Sequence, residues 1–271
     1  MRATILGILV LICTSSLHAQ DGCHIFIHGY TAHQFNYFGD LPRQVLWDSS
    51  EEIEVSAPKV ARKILEEMET CPPGEPIILR PHSYGVAQVH YILGKGFQFQ
   101  DYYPEHDFVL IYKRTLEVYA YTGAYHGTPL MDLVCSNRVT AALGSKFGKS
   151  CVRSLTTSYI DNVFAKVASP GVPTHLIYSS NRSGALGTTG TIIASHMVGF
   201  LNFAKGIRNQ NDNTLPIYAT RACAEKQLMP ERDSNCKKLD SNYFIDFHHT
   251  HDFNHTNFLK MKDFMQMGHN E

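Results

Sequence analysis

The 271-residue sequence predicts an α/β domain: a mostly parallel central sheet with helices on both faces and a helical cap or insertion. Three observations carry that expectation. Short apolar runs alternate with stretches of helical periodicity. Several runs end in corners that contain glycine, serine or proline, the residues that turn a strand into a helix. Hydrophobic residues make up 44% and charged residues 18%, which supplies one sizeable core and argues against a disordered chain.

Residues 1–20 read as a signal peptide. Arg2 gives a positive start, Ile5 to Cys13 an apolar core, and Ser15 to Ala19 a polar end, with cleavage expected near Ala19 or Gln20. The apolar run is too short to span a bilayer comfortably. A secreted or periplasmic location is therefore expected, with 21–271 as a single domain. His24 to Ile27 is the first buried strand, and it ends at His28-Gly29. Ser56 is placed as the cap of a helix carrying Val60, Ile64, Leu65 and Met68, which stops at Cys71-Pro72-Pro73-Gly74.

Pro76 to Leu79 is the next strand, running into Pro81-His82-Ser83-Tyr84-Gly85. A second helix follows, with Val86, Val89 and Leu93 on one face. Leu116 to Tyr121 is a strand that ends in Thr122-Gly123-Ala124. Residues 128–168 show no clear strand and read as a helical insertion. Thr174 to Tyr178 is another strand, and Tyr243 to Phe247 a strand or extended segment. Residues 184–206 are rich in glycine, threonine and small apolar groups. With 128–168 they are candidates for a cap or lid. The tail from Thr256 to Met265 puts Phe258, Met261 and Met265 on one helical face. There is no internal repeat and no interdomain linker.

Six cysteines follow the leader, an even count that suits an oxidising compartment. Neighbour spacing suggests Cys135–Cys151 and Cys223–Cys236, which leaves Cys23–Cys71; the sequence alone does not fix the connectivity. No C-x-x-C pair points to a zinc or thioredoxin-like site. The formal net charge of −1 supplies no basic field for nucleic acid, and no phosphate-cradling loop is present.

The segment Pro81-His82-Ser83-Tyr84-Gly85 follows an apolar strand and opens a helix. A serine hydroxyl becomes a useful nucleophile when a base takes its proton, and a sharp strand-to-helix turn exposes it best. Small residues must flank that serine, because strand and helix nearly touch there. The G-x-S-x-G pattern records the demand; here the second glycine is Gly85, and Pro81 stands where the first would be.

Four other segments fall in order around it. Ile25-Phe26-Ile27-His28-Gly29-Tyr30 resembles the strand and His-Gly turn before the oxyanion hole of α/β-hydrolase lipases. Thr122-Gly123-Ala124-Tyr125-His126-Gly127-Thr128-Pro129 is similar to their Gly-x-Pro-His-x-Gly-(Ser/Thr)-Pro segment, with Tyr125 near the usual proline. Asn211-Asp212 with Leu215-Pro216 resembles the turn that carries the triad acid, and His255-Thr256-Asn257-Phe258-Leu259 the end that carries the base. The resemblance, from about residue 24 to 260, is to the bacterial lipase and esterase group of the α/β-hydrolase superfamily.

What this resemblance implies is a serine ester hydrolase with a Ser-Asp-His triad and an acyl-enzyme intermediate, needing no cofactor and no metal. Ser83 would be the nucleophile, Asp212 the acid and His255 the base, with the amides of Tyr30 and Tyr84 as oxyanion hole. Asp246 is the alternative acid and His251 the alternative base; Asp233 and Asp240 also lie in the interval, and His248 and His249 crowd the base. Asp212 also fits an Asx turn. His28, His82, His126 and Asp132 are expected to be structural. The expected partner is a small-molecule or lipid ester, with transient contact to a lipid surface.

Two rivals stay open. His251-Asp252-Phe253-Asn254-His255 has the i, i+4 histidine spacing of a zinc helix, which would suit a metallohydrolase. Pro81 in the elbow would suit a non-catalytic binding protein on the same scaffold. Asn181-Arg182-Ser183 and Asn254-His255-Thr256 are glycosylation sequons, relevant only in a eukaryotic secretory pathway.

Overall fold

The computed structural model of the chain describes residues 22–30, 38–136, 151–179, 222 and 242–250. In chain order these form β1 (Cys23–Ile27), β2 (Gln44–Val45), α1 (Ile53–Met68), β3 (Ile77–Pro81), α2 (Tyr84–Phe99), α3 (Asp107–Arg114), β4 (Thr115–Tyr121), α4 (Pro129–Ser136), a 3-10 turn (Arg153–Leu155), α5 (Thr157–Phe164), β5 (Thr174–Ser179) and β6 (Phe244–Thr250). The six strands make one sheet in the order β2-β1-β3-β4-β5-β6, and every pairing is parallel. The chain moves one way from β1 to β2 and the other way from β3 onward. The change of direction falls between β1 and β3, and crevices at the carboxyl ends of such strands are where open α/β sheets bind ligands.

The larger core joins Ile25, Ile27, Ile77, Leu79, Val118, Ala120 and Leu176 of the strands to the inward faces of the helices. Each fully buried Ile or Leu contributes about 1.5–3 kcal/mol. On the other face, Phe26, Tyr121 and Ile177 pack with Phe38. Arg80 is buried on β3, where its Nε donates to His24 Nδ1 (2.7 Å) and its Nη1 to the Tyr121 hydroxyl (2.8 Å). Its guanidinium lies 4.7 Å from the centre of the Tyr119 ring. The hydrogen bond from His175 holds the Glu117 carboxyl below its usual range, and the nearby Arg80 charge adds to this.

Two expected cysteine pairs form, Cys23–Cys71 and Cys135–Cys151. They close loops of 48 and 16 residues, worth about 4 and about 3 kcal/mol in the chain-entropy account. The first staples β1 to the end of α1. Cys223 and Cys236 lie outside the described residues, as do the segment expected to form a signal peptide, residues 184–206 and the segment expected to form a tail helix.

Local expectations shift in instructive places. The first helix starts at Ile53, three residues before the serine expected to cap it. The Ile53 amide donates instead to Ser154 Oγ at 2.7 Å, from a residue 101 positions away. Ser56 sits inside the first turn, where its hydroxyl donates to Glu52 O and accepts from Gln88 Nε2. Two elements carried too little pattern to be foreseen. β2 is two residues long, and α3 is eight residues, opened by His106 Nδ1 accepting from the Phe108 amide. The described parts of 128–168 are helical, as expected, and packed: Met131, Val152, Leu155 and Ile160 are buried in the main core. Asp132 ties α4 to α5 by accepting from the Thr157 amide and hydroxyl, both at 2.8 Å.

Candidate active site

The corner after β3 is built by steric demand. Ser83 adopts φ 53° and ψ −118°, a left-handed-side conformation that non-glycine residues avoid. Backbone bonds hold it on both sides. The Ser83 amide donates to Tyr121 O (2.9 Å), and its carbonyl accepts from Val86 (3.1 Å) and Ala124 (3.2 Å). The His82 amide donates to Ile27 O at 3.0 Å, so β1 and β4 grip the corner from either side. The strain should be measurable. Ser83→Gly is expected to melt higher than Ser83→Ala, by about 1 kcal/mol of stability, because glycine populates this region freely; differential scanning calorimetry of the pair checks it.

Pro81 closes β3, paired in register with Ile27. His82 gives its amide toward β1 and Ser83 gives its amide toward β4, so by alternation the position of Pro81 faces β4. The proline thus removes one rung on that side, and the strand ends there. The glycine that is present has a stricter task. A Cβ on Gly85 would stand 2.6 Å from His28 O and 2.7 Å from Ile27 O. The end of β1 and the start of α2 touch backbone to backbone. Gly29 is equally confined: a Cβ there would meet Ser83 Cβ at 2.6 Å and Ser83 Oγ at 3.2 Å.

The loop after β1 therefore lies directly on the serine. His28 is buried, and its Nε2 accepts from the Trp47 amide at 3.0 Å while its Nδ1 lies 2.6 Å from Gly29 O. An acceptor at Nε2 places the proton on Nδ1, so Nδ1–H donates to Gly29 O and the ring is neutral. Burial agrees, holding the imidazole below its ordinary 6.5. The sign follows. Only the unfolded chain takes up this proton between 6.5 and the lower folded value, so the stability is complete above 6.5 and is lost as pH falls below it. The slope from this group is at most about 1.4 kcal/mol per pH unit. Thermal melts from pH 8 to 5 should fall more steeply for the wild type than for His28→Asn.

Tyr84 follows the serine and is fully buried. Its hydroxyl donates to Glu51 O at 3.1 Å, its ring lies 5.2 Å from that of Trp47, and burial pushes the phenol well up. It is the first residue of α2, where backbone amides have no acceptor within the helix and the helix dipole favours negative charge.

The sequence-predicted residues Ser83, Tyr84 and the Gly29–Tyr30 turn thus come together at the carboxyl ends of β1 and β3. Asp212, His251 and His255 lie outside the described residues, as do Asp233 and Asp240. Asp246 is described in backbone only, mid-strand in β6 and in register with Leu176. His126 Nδ1 pairs with Asp161 of α5 at 2.7 Å. Sequence reasoning did not single out Trp47. It is the only tryptophan of the chain, with no periodic pattern around it to mark it.

No protein-family model matches the chain, and no curated protein matches it. Solved structures do. The Bacillus licheniformis lipase BlEst2 in mature form is 16% identical, with a TM-score of 0.55 over 92% of this chain and 93% of that one. The propeptide form of the same lipase has the same identity and TM-score, but the chain spans about half of it, 51%. The Staphylococcus hyicus lipase is 10% identical, with a TM-score of 0.56 over 88% of each chain. The chain has the α/β-hydrolase fold of these enzymes.

Proposed function

We propose that this α/β-hydrolase chain is an exported serine hydrolase that cuts carboxylic esters of the lipid type through an acyl-enzyme. One observation carries the reading: Ser83 is held at positive φ between β3 and α2, with Gly29 and Gly85 packed against that corner. A strained serine at a strand-to-helix turn is the geometry that presents a hydroxyl to a substrate carbonyl. The lipase neighbours favour a lipid ester as substrate, and the two disulfides together with the N-terminal leader pattern favour export.

Ser83 Oγ attacks the ester carbonyl. His255 takes its proton and returns it to the leaving alcohol, and Asp212 fixes the imidazole tautomer and stabilises its charge. The amides of Tyr30 and Tyr84 receive the oxyanion. Water then attacks the acyl-enzyme by the same steps. The topology supports these assignments. In a parallel sheet β5 and β6 end on the same side as β3, the carboxyl side that carries Ser83. Asp212 lies in the chain between β5 and β6, and His251 and His255 follow the end of β6 at Thr250. Asp246, four positions before that end, is badly placed for the acid.

The test uses a fluorophosphonate probe and a series of p-nitrophenyl esters of rising chain length. Probe labelling of wild type but not of Ser83→Ala, with hydrolysis of the esters, supports the reading. Absence of labelling under any condition would sink it in favour of a binding protein.

A further inference from the structure

We propose that Trp47 and His28 are the positioning residues of the oxyanion hole, fixing the Gly29–Tyr30 peptide so that the Tyr30 amide turns toward the substrate oxygen. This rests on the ester-hydrolase reading and adds to it the device that aims one donor.

Trp47 grips His28 at two points. Its backbone amide donates to His28 Nε2 at 3.0 Å, and its indole Nε1–H donates to His28 O at 3.2 Å. The two rings stack, with centroids 5.5 Å apart and planes 20° apart. Imidazole and main chain of His28 are thus held by one residue, and both residues are buried. The proton forced onto Nδ1 then holds Gly29 O at 2.6 Å. The described peptides are all trans, and in a trans peptide the N–H points opposite to the C=O. Pinning Gly29 O to the histidine therefore turns the Tyr30 N–H to the other side of the same plane. The Gly29 α-carbon abuts Ser83, so this peptide neighbours the nucleophile. Trp47 also packs on the Tyr84 ring at 5.2 Å, so one side chain touches Tyr84, whose own amide is one proposed donor, and His28, which holds the peptide that carries the other.

Removing one preorganised oxyanion donor costs about 10²–10³ in kcat. His28→Leu, which can neither accept from Trp47 nor hold Gly29 O, is expected to lower kcat roughly 10²-fold with KM within about threefold. His28→Asn can still donate from near the Nδ1 position and should recover about tenfold of that loss. Trp47→Phe keeps a ring but loses the indole donor and should lower kcat about tenfold. A role in stability alone would lower the melting temperature without splitting kcat from KM and without rescue by asparagine.

The experiment measures kcat, KM and melting temperature on a p-nitrophenyl ester for wild type and the three variants. Should His28→Leu fail to fold, His28→Asn and Trp47→Phe carry the test. The fluorescence of Trp47, the only indole, is a second readout: its emission should change in His28→Asn as the stacked, bonded imidazole is lost. Wild-type kcat in both folded His28→Asn and Trp47→Phe would overturn the proposal while leaving the serine-hydrolase reading intact. A wild type without Ser83-dependent hydrolysis would sink both.

Discussion

Ser83→Ala is expected to abolish ester hydrolysis, with kcat falling by on the order of 10⁴–10⁶-fold while the protein stays folded. The size follows from what alanine deletes. In the proposed mechanism the hydroxyl forms the acyl-enzyme, and members of a nucleophile–base unit fail together when one is removed. The fold should survive, because the corner is held by backbone bonds to Tyr121, Val86 and Ala124 that do not use the hydroxyl. His255→Ala should approach the same loss, and His251→Ala should stay within about tenfold of wild type. Single-turnover assays with a p-nitrophenyl ester measure all three. Equal activity of wild type and Ser83→Ala would mean that any hydrolysis seen arises elsewhere.

Gly85→Val gives the largest expected loss of stability, about 3 kcal/mol or more. The new Cβ would have to share space with the carbonyl oxygens of Ile27 and His28 at 2.7 and 2.6 Å, and backbone cannot swing aside as a long side chain can. For a chain of this size that corresponds to a fall of about 10 °C in melting temperature. Gly74→Ala is the matched control. Gly74 has φ +82° with nothing within 4 Å of the added carbon, so only the backbone conformation costs, about 1 kcal/mol. Calorimetry on both variants decides it. A Gly85→Val melt within two degrees of wild type would mean that β1 and α2 do not touch at the elbow.

Much of the site was legible because its demands are local. The histidine–glycine turn after β1 and the serine corner after β3 are each written in five or six consecutive residues, and both fall at strand ends as expected. The strands at 115–121 and 174–179 carried enough apolar pattern to be placed within a residue or two. The helix that Ser56 was expected to cap shows the limit. Propensity favours a serine cap, but Ser154 supplies an acceptor from across the fold, and the helix gains four residues.

By itself the sequence determined the parallel α/β architecture and the serine corner, and it suggested disulfide pairs without fixing them. Periodicity, turn residues and steric crowding act over a few neighbours, whereas the pairs Cys23–Cys71 and Cys135–Cys151 were settled by the structure. Only the tertiary structure decided that β1 lies beside β3, so that Gly29 rests on Ser83. It alone brought Trp47 onto His28 from 19 positions away and buried Arg80 between His24 and Tyr121. The reason is physical. A hydrogen-bond partner across tens of residues is selected by how the sheet and helices pack, and no window of sequence contains both groups.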